Sequence, residues 1–281
     1  MVKLLFATVY DGKKRYECGL EKWCADVKRL RRYLDIEVKV VSSLTVKFCE
    51  EATTITPEAS LLALAANRTR PPGSKSITVA AFSKVNLWKW HLVSLVEYDT
   101  IFYSDLDVDL FMHTSPAVWA NNLKYAERTF RKSRYRLYAH EDHASPINGG
   151  VFMIKPNVSD YLAGLRALRG PFNLSHGFEA RPHALVKGDK YDRRTKWFRQ
   201  DTWDIVGGNS DQGLLTYIYH VNQLVYRNRS QLVVHHFWGG QNPMRLRNCE
   251  RYFAFTNASF RSRCMPRLDD TKKCKGVKVR L

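Results

Sequence analysis

The chain has 281 residues with 44% apolar and 12% aromatic content, enough to bury a substantial core and too apolar for wholesale disorder. Its net charge of +18 draws anions such as nucleotide phosphates, acidic glycans, anionic membrane surfaces or nucleic acid. No apolar run reaches the length of a membrane-spanning helix, and no Cys-x-x-Cys pair or Cys/His spacing signals a zinc module.

Residues 3–10 read as a buried first strand, with the charged run from Asp11 to Arg15 ending the apolar stretch, so a signal peptide is not expected there. Leu20, Trp23, Val27, Leu30 and Leu34 then recur on one helical face. Strand 37–41 and a short helix at 57–67 follow, closed by Pro71-Pro72-Gly73. Strand 76–82, an amphipathic helix at 87–98 and strand 100–104 continue the alternation. Beyond them the pattern predicts a helix at 116–130, a strand at 147–155, a helix at 160–168, helical character at 211–221 and a late strand at 232–237. This rhythm predicts an α/β fold: one Rossmann-like domain with a mostly parallel twisted sheet and helices on both faces. Residues 1–245 form that domain. Within it, 170–205 is a polar, basic insertion or lid, and 246–281 is a basic extension. Ligands on such sheets bind beyond the carboxyl ends of strands.

The segment Ile101-Phe102-Tyr103-Ser104-Asp105-Leu106-Asp107-Val108-Asp109 carries an apolar strand straight into alternating carboxylates. Residues two apart in extended chain point the same way, so Asp105 and Asp107 converge at the strand's end. Buried carboxylates need cationic partners, and a divalent cation shared with a diphosphate is one. An Asp-x-Asp alone is nearly uninformative, since roughly one arises by chance in a chain this long; its place after a buried strand gives it weight. The plain alternative is an acidic turn paired with surface Lys or Arg.

Other segments point to the same place. Lys89 lies on the element before this strand, within reach of a phosphate or simply solvated. Asn148-Gly149-Gly150 permits close backbone approach and offers an amide for a sugar hydroxyl, or is a ligand-free turn. Ser210 and Asp211 open a helix before Gln212, where Ser210 caps and Asp211 favours the positive helix end. His235 and His236 end a strand before Gly239 and Gly240.

Together these segments resemble glycosyltransferase family eight, the glycogenin-like retaining enzymes of the GT-A fold. The resemblance is carried by Glu97-Tyr98-Asp99 with Tyr103-Ser104-Asp105-Leu106-Asp107, by Asn148-Gly149-Gly150-Val151-Phe152, by Asp211-Gln212-Gly213-Leu214-Leu215 and by His236-Phe237-Trp238-Gly239, in the family's order. It implies that Asp105, Asp107 and His236 bind Mn2+ or another divalent cation. It also implies that Thr8 and Tyr10 hold the base of the donor, and that Lys89, Gly149 and Gly239 line the donor site. Asn148, Asp211 and Gln212 would orient the transferred sugar, with Gln212 near the anomeric carbon and retention of configuration. Two positions depart from the family pattern: Gly149 stands where Ser is usual, and Asn242-Pro243 stands where Lys-Pro is usual.

The function expected is metal-dependent transfer of a hexose-type sugar from a nucleotide-diphosphate donor, UDP being the family's usual nucleotide, to a glycan or protein acceptor. The rivals are a nucleotidyltransferase or nucleotide-sugar hydrolase on a similar fold, and a basic nucleic-acid-binding protein. Nucleic acid is disfavoured because no helix-turn-helix, zinc finger or RRM-like aromatic motif occurs. The basic insertion and tail suggest an anionic acceptor or peripheral membrane contact. Cytoplasmic residence is the default. Buried thiols are the expected state of the six cysteines, with Cys264–Cys274 the pair that a bridge would use in an oxidising compartment; five Asn-x-Ser/Thr triplets matter only for a secreted chain.

Overall fold

The computed structural model describes residues 2–13, 16–47, 49–69, 84–111, 114–139, 147–175, 177–178, 203, 207–221 and 235–236. The predicted strand at 76–82, most of the 170–205 insertion, Gly239 and the 246–281 extension lie outside them.

A six-stranded sheet organises the chain. Strands β1 (Leu4–Val9), β2 (Glu37–Val41), β3 (Thr53–Ile55), β4 (Thr100–Ser104), β6 (Leu137–Ala139) and β7 (Val151–Ile154) run in the order β3-β2-β1-β4-β7-β6. The β3–β2, β2–β1 and β1–β4 pairs are parallel, and β7 is antiparallel to both its neighbours. The sheet is therefore mixed, as an α/β fold with a mostly parallel core. Strand β3, which the sequence pattern did not mark, is short and only partly buried, so it carries no apolar run.

Strand alternation creates two cores. On one face Leu5, Ala7, Ile101, Tyr103, Phe152 and Ile154 pack beneath helices α2 (Ala59–Ala66) and α4 (Val158–Arg169). On the other, Leu4, Phe6, Val38, Phe102, Val151 and Met153 pack beneath α1 (Glu17–Leu30) and α3 (Pro116–Lys132). The second core holds a stacked Phe6–Phe102 pair at 4.6 Å with the Trp119 ring edge-on at 5.5 Å from Phe102, a geometry worth about 0.5–1.5 kcal/mol per pair beyond burial. Helix α3 begins where Ser115 accepts a hydrogen bond from the Val118 N–H at 3.3 Å and Pro116 takes the first turn; Arg131 and Lys132 complement its carboxyl end.

Residues 87–98 depart from the predicted amphipathic α-helix. Leu87–Ser94 form a 3-10 helix, and the chain then turns towards β4. The buried Leu87, Trp90 and Val93 recur at threes, which aligns them on one edge only at three residues per turn. Gly164 of α4 makes this packing possible: a Cβ there would lie 2.2 Å from the Trp90 indole, whose N–H donates to the Tyr161 carbonyl at 3.1 Å. Trp90 is thereby fixed, and with it the neighbouring Lys89.

The cysteine expectation is corrected by the structure. Cys24 of α1 and Cys49 form a disulfide, both nearly buried, with Cα atoms 5.7 Å apart. Bridging residues 25 apart restricts the unfolded chain and stabilises the fold by about 3 kcal/mol. Cys264 and Cys274 lie outside the described residues. Among the described residues no helix is long and apolar enough to cross a membrane.

Candidate active site

The parallel strands β1 and β4 end side by side, and Thr8, Lys89, Asp105, Gly149, Asp211 and Gln212 lie at that rim. Ala7 pairs with Tyr103, so Thr8 stands one residue beyond the pair, beside Ser104. Antiparallel pairing of Ser104 with Val151 brings Asn148-Gly149-Gly150 across from Asp105, and the Asp105 N–H donates to the Gly150 carbonyl at 2.7 Å. A second ladder pairs β5 (Val108–Asp109) antiparallel with β8 (His235–His236), matching Val108 with His236 and Asp109 with His235. The backbone of His236 therefore runs next to the Asp-x-Asp turn, although 128 residues separate it from its partner Val108.

Lys89 is the hub. Its Nζ, on a side chain only 3% exposed, donates to Asp211 Oδ2 at 2.7 Å, to the Gly149 carbonyl at 2.8 Å and to Asp105 Oδ1 at 3.3 Å. It also lies 4.7 Å from the centre of the Tyr103 ring, a cation–π contact. Burial favours loss of the ammonium proton, but the Asp105 and Asp211 carboxylates outweigh it and hold Lys89 above the ordinary lysine value. Its donors are spent on the protein, and it ties the strand-end carboxylate to Asp211 from helix α5 (Asp211–Leu215).

Asp105 is about one quarter exposed, and its Oδ1 also accepts from the Tyr103 hydroxyl. Tyr103 stacks on Phe152 at 4.8 Å. Its hydroxyl is pushed well above the usual tyrosine range by burial first, then by the charge and hydrogen bond of Asp105, with Asp211 and Asp107 adding smaller effects. Asp107, partly exposed, therefore shares one electrostatic site with Asp105 and Asp211. Asn148 Oδ1 accepts from the Gly150 N–H at 2.7 Å, committing that oxygen to its own turn.

A steric constraint accounts for glycine at position 149. A Cβ at this position would meet Asp211 Oδ2 at 2.3 Å and Gln212 Cγ at 2.9 Å, so the missing side chain is the space that Asp211 occupies to reach Lys89. The capping reading of this segment is also corrected. Ser210 makes no side-chain capping bond, and Asp211 is held by Lys89 rather than by the helix end alone. Helix α5 is itself short, giving way to a π-helix over Thr216–Val221.

Two buried polar atoms at this rim, Thr8 Oγ1 and Gln212 Oε1, find no hydrogen-bond partner among the described residues. Leaving such atoms unsatisfied costs about 1–3 kcal/mol each, which a bound ligand with hydroxyl or amide donors offsets. Tyr10, buried at the end of β1, is raised in pKa by burial and then by the charges of Glu17 and Asp11. Among the described residues no three His, Cys, Asp or Glu side chains are grouped to hold a metal ion; the side chain of His236 is not among those described. The donor set at the turn is hard carboxylate oxygen, which suits Mg2+ or Mn2+.

Sequence reasoning missed Trp23 and Tyr103. Trp23 on α1 donates from its indole N–H to Ser104 Oγ at 2.8 Å, in a buried bond that fixes the residue before Asp105. A helix–strand contact across 81 residues leaves no local signal. Tyr103 did leave one: it stands two residues before Asp105 and so shares its side of the strand.

No family model matches the chain, and no curated protein matches it. Solved structures do resemble it. The galactosyltransferase LgtC, solved with donor and acceptor sugar analogs, is 13% identical, with a TM-score of 0.40 over 92% of this chain and 99% of that one. The apo-form glycosyltransferase GlyE of Streptococcus pneumoniae is 9% identical, with a TM-score of 0.44 over 97% of this chain and 65% of that one. The bifunctional glycosyltransferase WbbM is 9% identical, with a TM-score of 0.48 over 96% of this chain and 50% of that one.

Proposed function

We propose that this chain is a glycosyltransferase that moves a hexose-type sugar from a nucleotide-diphosphate donor, UDP being the first to test, to a glycan or protein acceptor with retention of configuration. The observation that carries the reading is the sharing of one buried ammonium, Lys89, by the carboxylates of Asp105 and Asp211 at the strand rim. Asp105 and Asp107, with His236 brought alongside by the β5–β8 ladder, would hold a divalent cation such as Mn2+. Bound there, the ion supplies Lewis-acid stabilisation of the departing diphosphate.

The protein's own groups do the rest. Lys89 fixes the orientation of Asp105 and Asp211 before any ligand arrives, so little reorganisation remains for the reaction. Thr8 Oγ1, which can donate or accept, and Gln212 Oε1, which can only accept, are both buried and polar and would meet hydroxyls and amides of the donor. Tyr10 offers a ring for the nucleotide base. Gln212, which packs against Gly149, would turn its amide oxygen to an anomeric carbon gaining positive charge.

The deciding experiment is Asp107→Ala, assayed for transfer from a panel of nucleotide sugars with Mn2+. We expect transfer to fall a hundredfold or more, the loss of about 3 kcal/mol of barrier stabilisation, with the melting temperature unchanged. Undiminished transfer would remove the assignment. Product analysis separates the rival chemistry, because a nucleotidyltransferase or hydrolase makes or cuts the diphosphate bond instead of releasing nucleoside diphosphate beside a glycosylated acceptor.

A further inference from the structure

The cross-link between Cys24 and Cys49 bears on where this chain resides. Protein disulfides form and persist in oxidising compartments and are rare in the cytosol, where thiols are kept reduced. Both cysteines are nearly buried, so the bridge is internal to the fold and not an exposed redox contact. The sequence adds an independent mark of the same compartment. Thirteen asparagines and 32 serines and threonines in 281 residues give one or two Asn-x-Ser/Thr triplets by chance, and the chain has five, at Asn67, Asn157, Asn173, Asn228 and Asn257. Such triplets accept N-linked glycans in secreted chains.

The three triplets within the described residues differ in geometry. Asn157 caps helix α4: it is half-buried, and its Oδ1 accepts from the Asp160 N–H at 3.1 Å while its backbone N–H donates to the Val93 carbonyl at 2.9 Å. A branched sugar on its amide would crowd both the helix start and the 3-10 segment. Asn67 is exposed, but the next residue, Arg68, is buried with its guanidinium on the carbonyl of Leu168, and the Thr69 carbonyl accepts from Asn209 Nδ2 at 2.8 Å. Asn173 is different. Both Asn173 and Ser175 are exposed, and paired backbone bonds between Asn173 and Gly177 at 3.0 and 2.9 Å hold Asn173 at the base of a turn. Its Oδ1 accepts from the Ser175 N–H at 2.9 Å in an Asx turn.

We propose that the chain matures in an oxidising secretory compartment and that Asn173 is an N-glycosylation site there, used in preference to Asn157. The modification is a glycosyl transfer in which this chain is the acceptor. Asn173 Nδ2 forms a bond to the anomeric carbon of an oligosaccharide, the bond from that carbon to a lipid-linked diphosphate breaks, and the amide proton leaves with the diphosphate. The inference does not rest on the enzymatic reading above, and the two fail separately.

The test is a peptide map of the full chain isolated from its own source, digested without reductant. One portion is treated in heavy-oxygen water with the amidase that removes N-glycans and converts the modified Asn to Asp. The expected results are a linked peptide joining Cys24 to Cys49 and isotope-labelled Asp at position 173, with Asn157 unlabelled. A chain with reduced Cys24 and Cys49 and an unlabelled Asn173 overturns the proposal, and so does labelling at 157 without 173. A second arm expresses the chain through a eukaryotic secretory pathway behind an added leader. There Asn173→Gln should remove one glycan increment in mobility, Asn157→Gln should remove none, and the reverse pattern sinks the geometric argument.

Discussion

Both ends of strand β4 bury charge, and they do so differently. At its start, Glu127 of α3, 7% exposed, accepts from the Thr100 hydroxyl at 3.2 Å and from Arg131 Nε at 3.0 Å. One carboxylate meets one cation there, within a single helix, and the arginine reaches solvent. At the strand's other end Lys89 and Asp211, 3% and 4% exposed, are sealed together, with Asp105 sharing the same ammonium. Two carboxylates lean on one cation, contributed by three separate segments. A protein that needed only stability at the second place would do as well with a packed apolar pair. The contrast teaches that a buried charge is informative by how it is balanced and by how many elements it ties together, rather than by its presence.

The comparison is sharpened most by Lys89→Met, which strands two carboxylates. The expected loss is about 3–5 kcal/mol of stability, on the order of 10 °C in melting temperature, together with loss of transfer. The double variant Lys89→Met with Asp211→Asn should recover most of the stability and none of the activity. Recovery of both would show that the cluster is only structural. The sign of the pH dependence follows from the raised value of Lys89. Its contribution is fully present below the unfolded lysine value of about 10.4 and is lost only as pH rises through the higher folded value. The stability gap between wild type and the double variant should therefore be flat from about pH 6 to 9; a gap that closes across neutral pH contradicts a charged Lys89.

Gly149→Ala comes next in size. The added Cβ forces Asp211 off Lys89, so a destabilisation of about 1–3 kcal/mol is expected, with a fall in transfer larger than that loss of folded protein explains. Normal activity and melting in that variant would mean that the close approach of Gly149 to Asp211 is dispensable. The smallest effect belongs to the other end of the strand. Glu127→Gln keeps an acceptor for Thr100 and loses its part-buried i,i+4 pair with Arg131, at a cost of about 1 kcal/mol or less. Transfer should be unchanged, as measured by initial rates at saturating donor; a large drop would erase the distinction between the two ends.

Most of the α/β rhythm was legible because it is local. Strands β1 and β4 are apolar runs, α1 and α3 carry apolar stripes at helical spacing, and Ser115-Pro116 announces a helix start. The 3-10 form of Leu87–Ser94 was not legible, because its apolar residues also fit an α-helical pattern. The convergence of Asp105 and Asp107 also follows from the alternation of a strand and the rule that chemistry gathers at its carboxyl end.

What the chain alone could not decide was who neutralises whom. Whether Lys89 faces a phosphate or Asp211 depends on antiparallel pairing of β7 with β4, on the space at Gly149 and on Trp90 seated against Gly164. The Cys24–Cys49 bridge likewise depends on α1 lying against the segment that follows β2, and not on any spacing of cysteines. Sequence determines which side chains one element turns the same way, because that is set by backbone geometry over a few residues. Partnership between buried charges is settled only when distant segments exclude water from the same few ångströms, and that is a property of the tertiary fold.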